Sequence, residues 1–448
     1  MSHLYSRTKS VTLTLALFLI GTLGLSCLST AFFKQQDHAL AQQSIPTIKY
    51  RNLIIDLGNG VKTKAQLTLP TIGNGPFPGV LLIAGSGAQD KNETLGFVRI
   101  DNETGSIEYP PARPLLQIAE YLSERGFAVL RYDKRGVGAN ATLDTNVWGN
   151  ATINELIQDS KKALNVLIQQ PEVDPKRITI LGHSEGTIIA PRVAIDNSTK
   201  VKNIILMGTV AENFRDSAHR QSVSFPSEYA TQVLDKNHTG LISIQQIAKD
   251  PLLRNLLVSS SLLHTNNSKV ITNALVEQFG NNTIEAGYIS IDKQLIPLLT
   301  KGFENFTALN LSKCNELGGC PVMRSSLSSL IPTLSIIGNV SKSSGILLLN
   351  GENDSLTPVQ QAFLLQQRLT EVNHPDHTLI TYPNLGHVFY PSSQSSTGIG
   401  PIQEYVLADL YAWLEAHSGL SHSYVTPASG NVTSFSRDTG ANSSSSKS

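Results

Sequence analysis

The sequence carries no net charge: 35 Lys and Arg balance 35 Asp and Glu over 448 residues, and no cluster of like charges replaces the missing field. A nucleic-acid binder uses such a field to attract a polyanion, so that class of partner is excluded. Periodic glycine is missing too, because the 33 glycines and 21 prolines are scattered. That excludes a collagen-like chain, while an apolar content of 40% supplies enough material for a packed core and excludes wholesale disorder. Cysteine is scarce, with three residues. Cys27 falls in an apolar N-terminal run, which leaves Cys314 and Cys320, with two glycines between them, to close a small loop as a disulfide outside the cytosol or to stay free thiols. The length allows two or three domains, or one large α/β domain with insertions, at about 150 residues per domain.

Charge is absent altogether from Ser10 to Phe33, a stretch preceded by Arg7 and Lys9 and ended by Lys34. This pattern predicts export. The run exceeds the roughly 7 to 15 residues of a secretory core and approaches the ~20 that span a bilayer. Residues 10–33 are therefore either a signal cleaved near Ala39-Leu40-Ala41 or an anchor that holds the chain on the outer face of the membrane. Fourteen N-x-S/T sequons occur, at Asn92, Asn102, Asn140, Asn150, Asn197, Asn237, Asn266, Asn281, Asn305, Asn310, Asn339, Asn353, Asn431 and Asn442. Composition alone predicts roughly five. A glycosylated exterior accounts for the excess, with drift in a polar, Asn-rich chain as the bland alternative.

Residues 1–44 thus read as an export signal or anchor plus linker. From Lys49 to Leu69 the pattern is a hairpin around Gly58-Asn59-Gly60, its return strand alternating Val61, Thr63, Ala65, Leu67 and Leu69 with polar residues. Short continuous apolar runs follow at Val80 to Ala84, Phe127 to Tyr132, Ile178 to Leu181, Ile204 to Met207, Ile346 to Leu349 and His377 to Tyr382. Such runs suit strands covered on both faces. Helical patterns between them, at Leu115 to Arg125 and Ile153 to Gln169, predict an α/β fold with a mainly parallel sheet. The stretch 209–344 is too long for a connection and reads as a mostly helical cap inserted between core segments 45–208 and 345–418. Residues 419–448, rich in Ser, Thr, Gly and Asn, read as a disordered tail.

Gly182-His183-Ser184-Glu185-Gly186 follows a strand and opens a helix. A bare G-x-S-x-G arises by chance in such a chain about one time in four, so its strand and helix context carries the weight. Glycines two residues either side let a serine on a strained strand-to-helix turn stand clear. A serine hydroxyl attacks only when a base takes its proton, and a carboxylate must orient that base. Asp354 ends the strand Leu347 to Leu349 in a loop, and His387 follows the strand ending at Tyr382, so Ser184, Asp354 and His387 form the candidate triad, with Glu352 as the rival acid. The backbone N–H of Glu185 is one candidate oxyanion donor. The second comes from Ala84-Gly85-Ser86-Gly87, with Ser86 preferred to Gly87.

Four segments in this order resemble the α/β-hydrolase superfamily, and within it the carboxylesterase-like branch related to prolyl oligopeptidases and dienelactone hydrolases. They are Ile83 to Asp90, Leu130 to Gly138, Gly182 to Gly186, and Gly351 to Asp354 with His387. Thr187 stands where the branch often has glycine, and Asn140 where serine is common. The resemblance implies an α/β-hydrolase fold and a serine hydrolase that needs no cofactor; the N-terminal run adds export and the long cap small substrates, so an exported enzyme acting on esters of small substrates is expected. Short-peptide cleavage and thioester hydrolysis are the enzymatic alternatives, and a non-catalytic binding module on the same scaffold is the alternative of another class. His183 reads as structural, and Arg131 to Arg135 as a loop-stabilising charge network.

In the cap, Asp235, Asn237, Thr239, Ser243 and Gln246 follow EF-hand spacing around Gly240. Gln246 replaces the bidentate glutamate, so a degenerate loop is expected rather than a working calcium site. Gly287-Tyr288-Ile289-Ser290-Ile291 echoes Gly240-Leu241-Ile242-Ser243-Ile244 and hints at a paired loop. His374 and His377 flank Pro375 and Asp376, a surface turn rather than a metal site.

Overall fold

A computed structural model describes residues 47–95, 99–100, 107–108, 112–138, 142–250, 253, 257, 268–279, 287–308, 325–326, 330–391 and 400–420. The apolar run 10–33, the pair Cys314 and Cys320 and the chain beyond Leu420 lie outside these residues. No helix among the described residues is long and apolar enough to cross a membrane.

Eight strands make the main sheet: β1 (Ile48–Gly58), β2 (Val61–Pro70), β3 (Phe77–Ile83), β4 (Ala128–Tyr132), β5 (Val173–His183), β6 (Val201–Met207), β7 (Gly345–Gly351) and β8 (His377–Tyr382). Their order in space is β1-β2-β4-β3-β5-β6-β7-β8. The hairpin β1-β2 turns at Asn59 and Gly60, both at positive φ, as a two-residue turn matched to strand twist requires. β1 is the exposed edge. β2 is not, because it pairs antiparallel with β4, and its far end is covered where Ser123 Oγ donates to Thr68 O. From β4 onward every pairing is parallel.

Parallel strands are covered on both faces by their crossover helices, and the apolar runs divide accordingly. Leu81, Ile83, Ile204, Leu206, Ile346 and Leu348 join one core with α2 (Ile153–Ile168), α3 (Gly186–Asp196) and α4 (Gln360–Glu371). Val80, Leu82, Ile205, Met207, Leu347 and Leu349 join the other with α1 (Pro114–Ser123) and α5 (Glu404–Ser418). Each such fully buried aliphatic side chain contributes about 1.5–3 kcal/mol relative to exposure. Local signals set the helix ends. Pro114 occupies the first turn of α1, Thr152 and Glu155 close a capping box on α2, and Gly419 ends α5 at φ 63°.

Between β6 and β7 the chain forms short helical segments with a core of their own, including Val223, Ile247, Leu275, Leu299 and Phe303. The echoed pentapeptides pair antiparallel, with Ile242 opposite Ile289, and both isoleucines are fully buried. Phe214, at the start of this region, packs on Ile188 of α3 and on Val210.

Candidate active site

Ser184 sits between β5 and α3 at φ 53°, a left-handed conformation that costs a non-glycine residue about 1–3 kcal/mol. Its neighbours must be small. A Cβ on Gly182 would lie 2.1 Å from Gly186 O, and one on Gly186 would lie 2.4 Å from Ile83 O. The turn is held by Ser184 N donating to Met207 O at 2.9 Å and by Thr187 N donating to Ser184 O at 2.8 Å. Thr187 also uses its hydroxyl: Oγ1 donates to Ser184 O at 2.6 Å and accepts from Val210 N at 3.0 Å.

The loops after β7 and β8 meet beside this turn, since a Cβ on Gly351 would lie only 2.3 Å from Leu385 O. Asp354 Oδ1 accepts from Leu356 N at 2.9 Å and Thr357 N at 2.8 Å, while Oδ2 accepts from Thr357 Oγ1 at 2.7 Å. The same Oδ2 lies 2.8 Å from His387 Nδ1, with both side chains buried. Glu352, the rival acid, is exposed and accepts instead from Thr381 Oγ1 at 2.8 Å. Gly208, the residue after the Met207 carbonyl that holds Ser184, lies against the His387 ring, where an added Cβ would be 3.1 Å from Cε1. His387 Nε2 is buried and makes no hydrogen bond among the described residues. Asp354 and His387 are therefore in contact, and Ser184 N is held by the carbonyl of Met207, whose neighbour Gly208 lies against the His387 ring; no hydrogen bond joins Ser184 to that ring among the described residues.

The match to a known family covers residues 112–286, a segment described as serine aminopeptidase, S33. It includes the Ser184 turn and stops short of Asp354 and His387. An esterase named EstD from Thermotoga maritima is 32% identical over 154 residues, covering 34% of this chain and 31% of its own. An esterase named FrsA from Yersinia enterocolitica is 24% identical over 175 residues, covering 38% of this chain and 34% of its own. The chain thus spans about a third of the length of these curated relatives. Among solved structures, the α/β hydrolase GrgF from Penicillium aligns over 83% of this chain and all of its own at 15% identity and a TM-score of 0.45. Over residues 112–286 the chain is similar to serine aminopeptidases of family S33, and part of it to esterases.

Around Ser184, Asp354 and His387 the structure gathers further charged side chains, among them Glu93, which no sequence pattern singles out. Glu93 is buried, and its Oε1 accepts from Gly85 N at 2.7 Å and lies 2.8 Å from His183 Nδ1. His183 Nε2 lies 3.1 Å from His387 O. A carboxylate and a carbonyl both only accept, so the ring bridging them carries a proton on each nitrogen or shares one with Glu93. Burial pulls the His183 pKa down, but the charge and hydrogen bond of Glu93 and the His387 carbonyl reverse this and hold it above its usual value. His183 thus ties the nucleophile turn to the loop of the base. Its place next to Ser184 is legible in sequence, but its partner Glu93, 90 residues away, is not.

Within the stretch read as a charge network, Arg131 is fully buried and donates to Asn92 Oδ1 and, at 2.7 Å, to Gln66 Oε1, with burial pulling its pKa down to about 10. Arg135 makes two bonds to Asp159, at 2.7 and 2.8 Å, and one to Glu155 at 2.7 Å. Lys134 reaches the site itself, donating to Gly85 O and, at 2.7 Å, to Glu185 Oε1. Of the oxyanion candidates, the N–H groups of Glu185, Ser86 and Gly87 make no backbone hydrogen bond among the described residues. Ser86 is buried and Gly87 is exposed at φ 90°.

The EF-hand-like loop spends its oxygens on itself. Asp235 Oδ1 accepts from Thr239 N and Oγ1, each at 3.0 Å, and Oδ2 accepts from Gly240 N at 2.6 Å. Ser243 Oγ accepts from Gln246 N, and Gln246 returns Oε1 to Ser243 N and Nε2 to Leu234 O. Asn237 is exposed. No group of three or more His, Cys, Asp or Glu placed to hold a metal occurs among the described residues. His374 and His377 bond to backbone carbonyls of Ser341 and His374 respectively.

Proposed function

We propose that this chain is an exported serine esterase that cleaves carboxylic esters of small substrates through an acyl-enzyme on Ser184. The observation that carries the reading is the buried 2.8 Å contact of His387 Nδ1 with Asp354 Oδ2, which leaves Nε2 unengaged, together with Ser184 on a positive-φ turn. Ser184 Oγ attacks the acyl carbonyl while His387 Nε2 takes its proton, and Asp354 stabilises the resulting imidazolium. The N–H groups of Glu185, at the start of α3, and of Ser86 receive the oxyanion. The imidazolium then protonates the leaving alkoxide, and water, deprotonated by His387, attacks the acyl-enzyme to release the acid and regenerate Ser184. The esterase names of EstD and FrsA support the ester class.

Small substrates suit a site whose acid loop is packed by the inserted region: Gln221 Nε2 donates to Leu356 O at 2.8 Å. Export rests on residues 10–33, and the sequons agree with it, since the side chains of Asn150, Asn237, Asn305, Asn339 and Asn353 are exposed. Asn92 is an exception, its Oδ1 accepting from buried Arg131.

A fluorophosphonate probe tests the mechanism. Wild type is labelled and Ser184→Ala is not; folded wild type that resists the probe would favour a binding module. A panel of p-nitrophenyl esters of graded chain length, beside aminoacyl and thioester substrates, then sets the class. The match to the serine aminopeptidase family favours short-peptide cleavage as the second reading, selected if aminoacyl amides turn over faster than esters.

A further inference from the structure

We propose that Lys134 is a positioning residue for the oxyanion hole: its ammonium group fixes the Gly85–Ser86 peptide so that the Ser86 N–H faces the substrate oxygen, and Glu185 fixes the ammonium group. The inference rests on the serine-hydrolase reading above and names a group that acts through the backbone rather than on substrate.

The first observation is placement. Lys134 Nζ donates to Gly85 O and to Glu185 Oε1, and both side chains are buried, at 5% and 1% exposure. These two acceptors belong to the two segments that supply the oxyanion donors. A trans peptide points its C=O and its following N–H in opposite directions. Holding Gly85 O on the lysine therefore turns the Ser86 N–H away from it. The peptide needs such a hold, because Gly85 and Gly87 flank Ser86 and glycine backbones rotate with little steric resistance.

The second observation is that Gly85 is gripped at its other end as well, with its N–H donating to Glu93 Oε1 at 2.7 Å. Its backbone lies against the nucleophile: an added Cβ would be 3.1 Å from Ser184 Cβ and 2.6 Å from Glu93 Oε1. The strand end is thus pressed against Ser184 and held at both its donor and its acceptor.

A third observation speaks against a purely stabilising role. A buried ion pair yields little net stability unless all of its polar atoms are satisfied. Glu185 Oε2 is buried with no partner among the described residues. Two ammonium protons go to Gly85 O and Glu185, and the Nζ lies 5.8 Å from the centroid of the Trp148 ring. The pair does have the geometry to link the two donor segments.

The test compares wild type with Lys134→Met and with Lys134→Met/Glu185→Gln, the second removing both charges of the pair should the first fail to fold. On a p-nitrophenyl ester, kcat falls by about 10²- to 10³-fold, the loss typical of one oxyanion donor, while KM stays within about threefold. Inhibition by phenylboronic acid, whose tetrahedral adduct uses the same hole, weakens in step with kcat/KM. The crystal structure of the double variant shows the Gly85–Ser86 peptide rotated or in two orientations. A folded double variant with kcat within about threefold of wild type overturns the proposal, as does a loss confined to KM or a peptide in unchanged orientation. Wild type that neither labels with fluorophosphonate nor turns over any ester refutes the hydrolase reading instead, and the peptide orientation in the variant still decides whether Lys134 holds it.

Discussion

Replacing Asp354 by Asn tests the triad, because the hydrogen bonds around this carboxylate dictate which way the new amide faces. Oδ1 accepts two backbone N–H groups, from Leu356 and Thr357. If the amide nitrogen took that position, two buried donors would face two more and lose their acceptor, at about 1–3 kcal/mol each. The amide oxygen therefore stays there, and the nitrogen replaces Oδ2, where it donates to His387 Nδ1. The imidazole is then forced to carry its proton on Nε2, the atom that must accept one from Ser184. A triad carboxylate exchanged for its amide lowers kcat by about 10⁴, or about 5.4 kcal/mol of transition-state stabilisation at 1.36 kcal/mol per tenfold. Steady-state hydrolysis of a p-nitrophenyl ester reads this directly, with KM changed little because substrate does not touch the buried acid. Glu352→Gln is the control. Its side chain is exposed and bonded to Thr381, so its kcat stays within about twofold of wild type. A kcat for Asp354→Asn within about tenfold of wild type would falsify the argument and move the acid elsewhere.

Other substitutions probe the scaffold. Gly182→Ala places a Cβ 2.1 Å from Gly186 O, so the turn must open; we expect more than about 4 kcal/mol of destabilisation in urea unfolding, and a folded, fully active variant would contradict the packing. Glu93→Gln strips a buried histidine of its carboxylate and costs about 3–5 kcal/mol, measurable as a lowered Tm. Because the His183 pKa is raised on folding, the stability from its charged form is fully present below the unfolded value of about 6.5 and is lost as pH rises through the higher folded value. The Tm gap between wild type and Glu93→Gln should accordingly narrow from acidic to alkaline pH, and a constant gap would show that the ring does not titrate with folding. Calcium should leave Tm unmoved in differential scanning fluorimetry, since Asp235 and Gln246 already spend their oxygens inside the loop; a dose-dependent rise would mean that the loop rearranges to bind.

What could be read in the linear chain is what depends on local pattern. Continuous apolar runs mark strands covered on both faces, and the helical pattern from Ile153 marks α2. Gly182 and Gly186 flag the nucleophile turn because the clash they avoid lies between near neighbours and the adjoining strand. The echo of Gly240 to Ile244 in Gly287 to Ile291 is likewise a repeated pattern, and the fold pairs the two segments.

Tertiary structure alone decided which side chains share a buried electrostatic environment. Glu352 and Asp354 are chemically alike and two residues apart; only the direction of the loop after β7 sends one to Thr381 and the other to His387. Glu93 with His183 and Lys134 with Glu185 join residues 90 and 51 positions apart, and a lone Glu or Lys has no periodicity that could announce a partner. Hydrophobic spacing is dictated by helix and strand geometry and so is written along the chain. Charge pairing depends on where loops at the end of a sheet come to rest, and that is set only once the eight strands have taken their order.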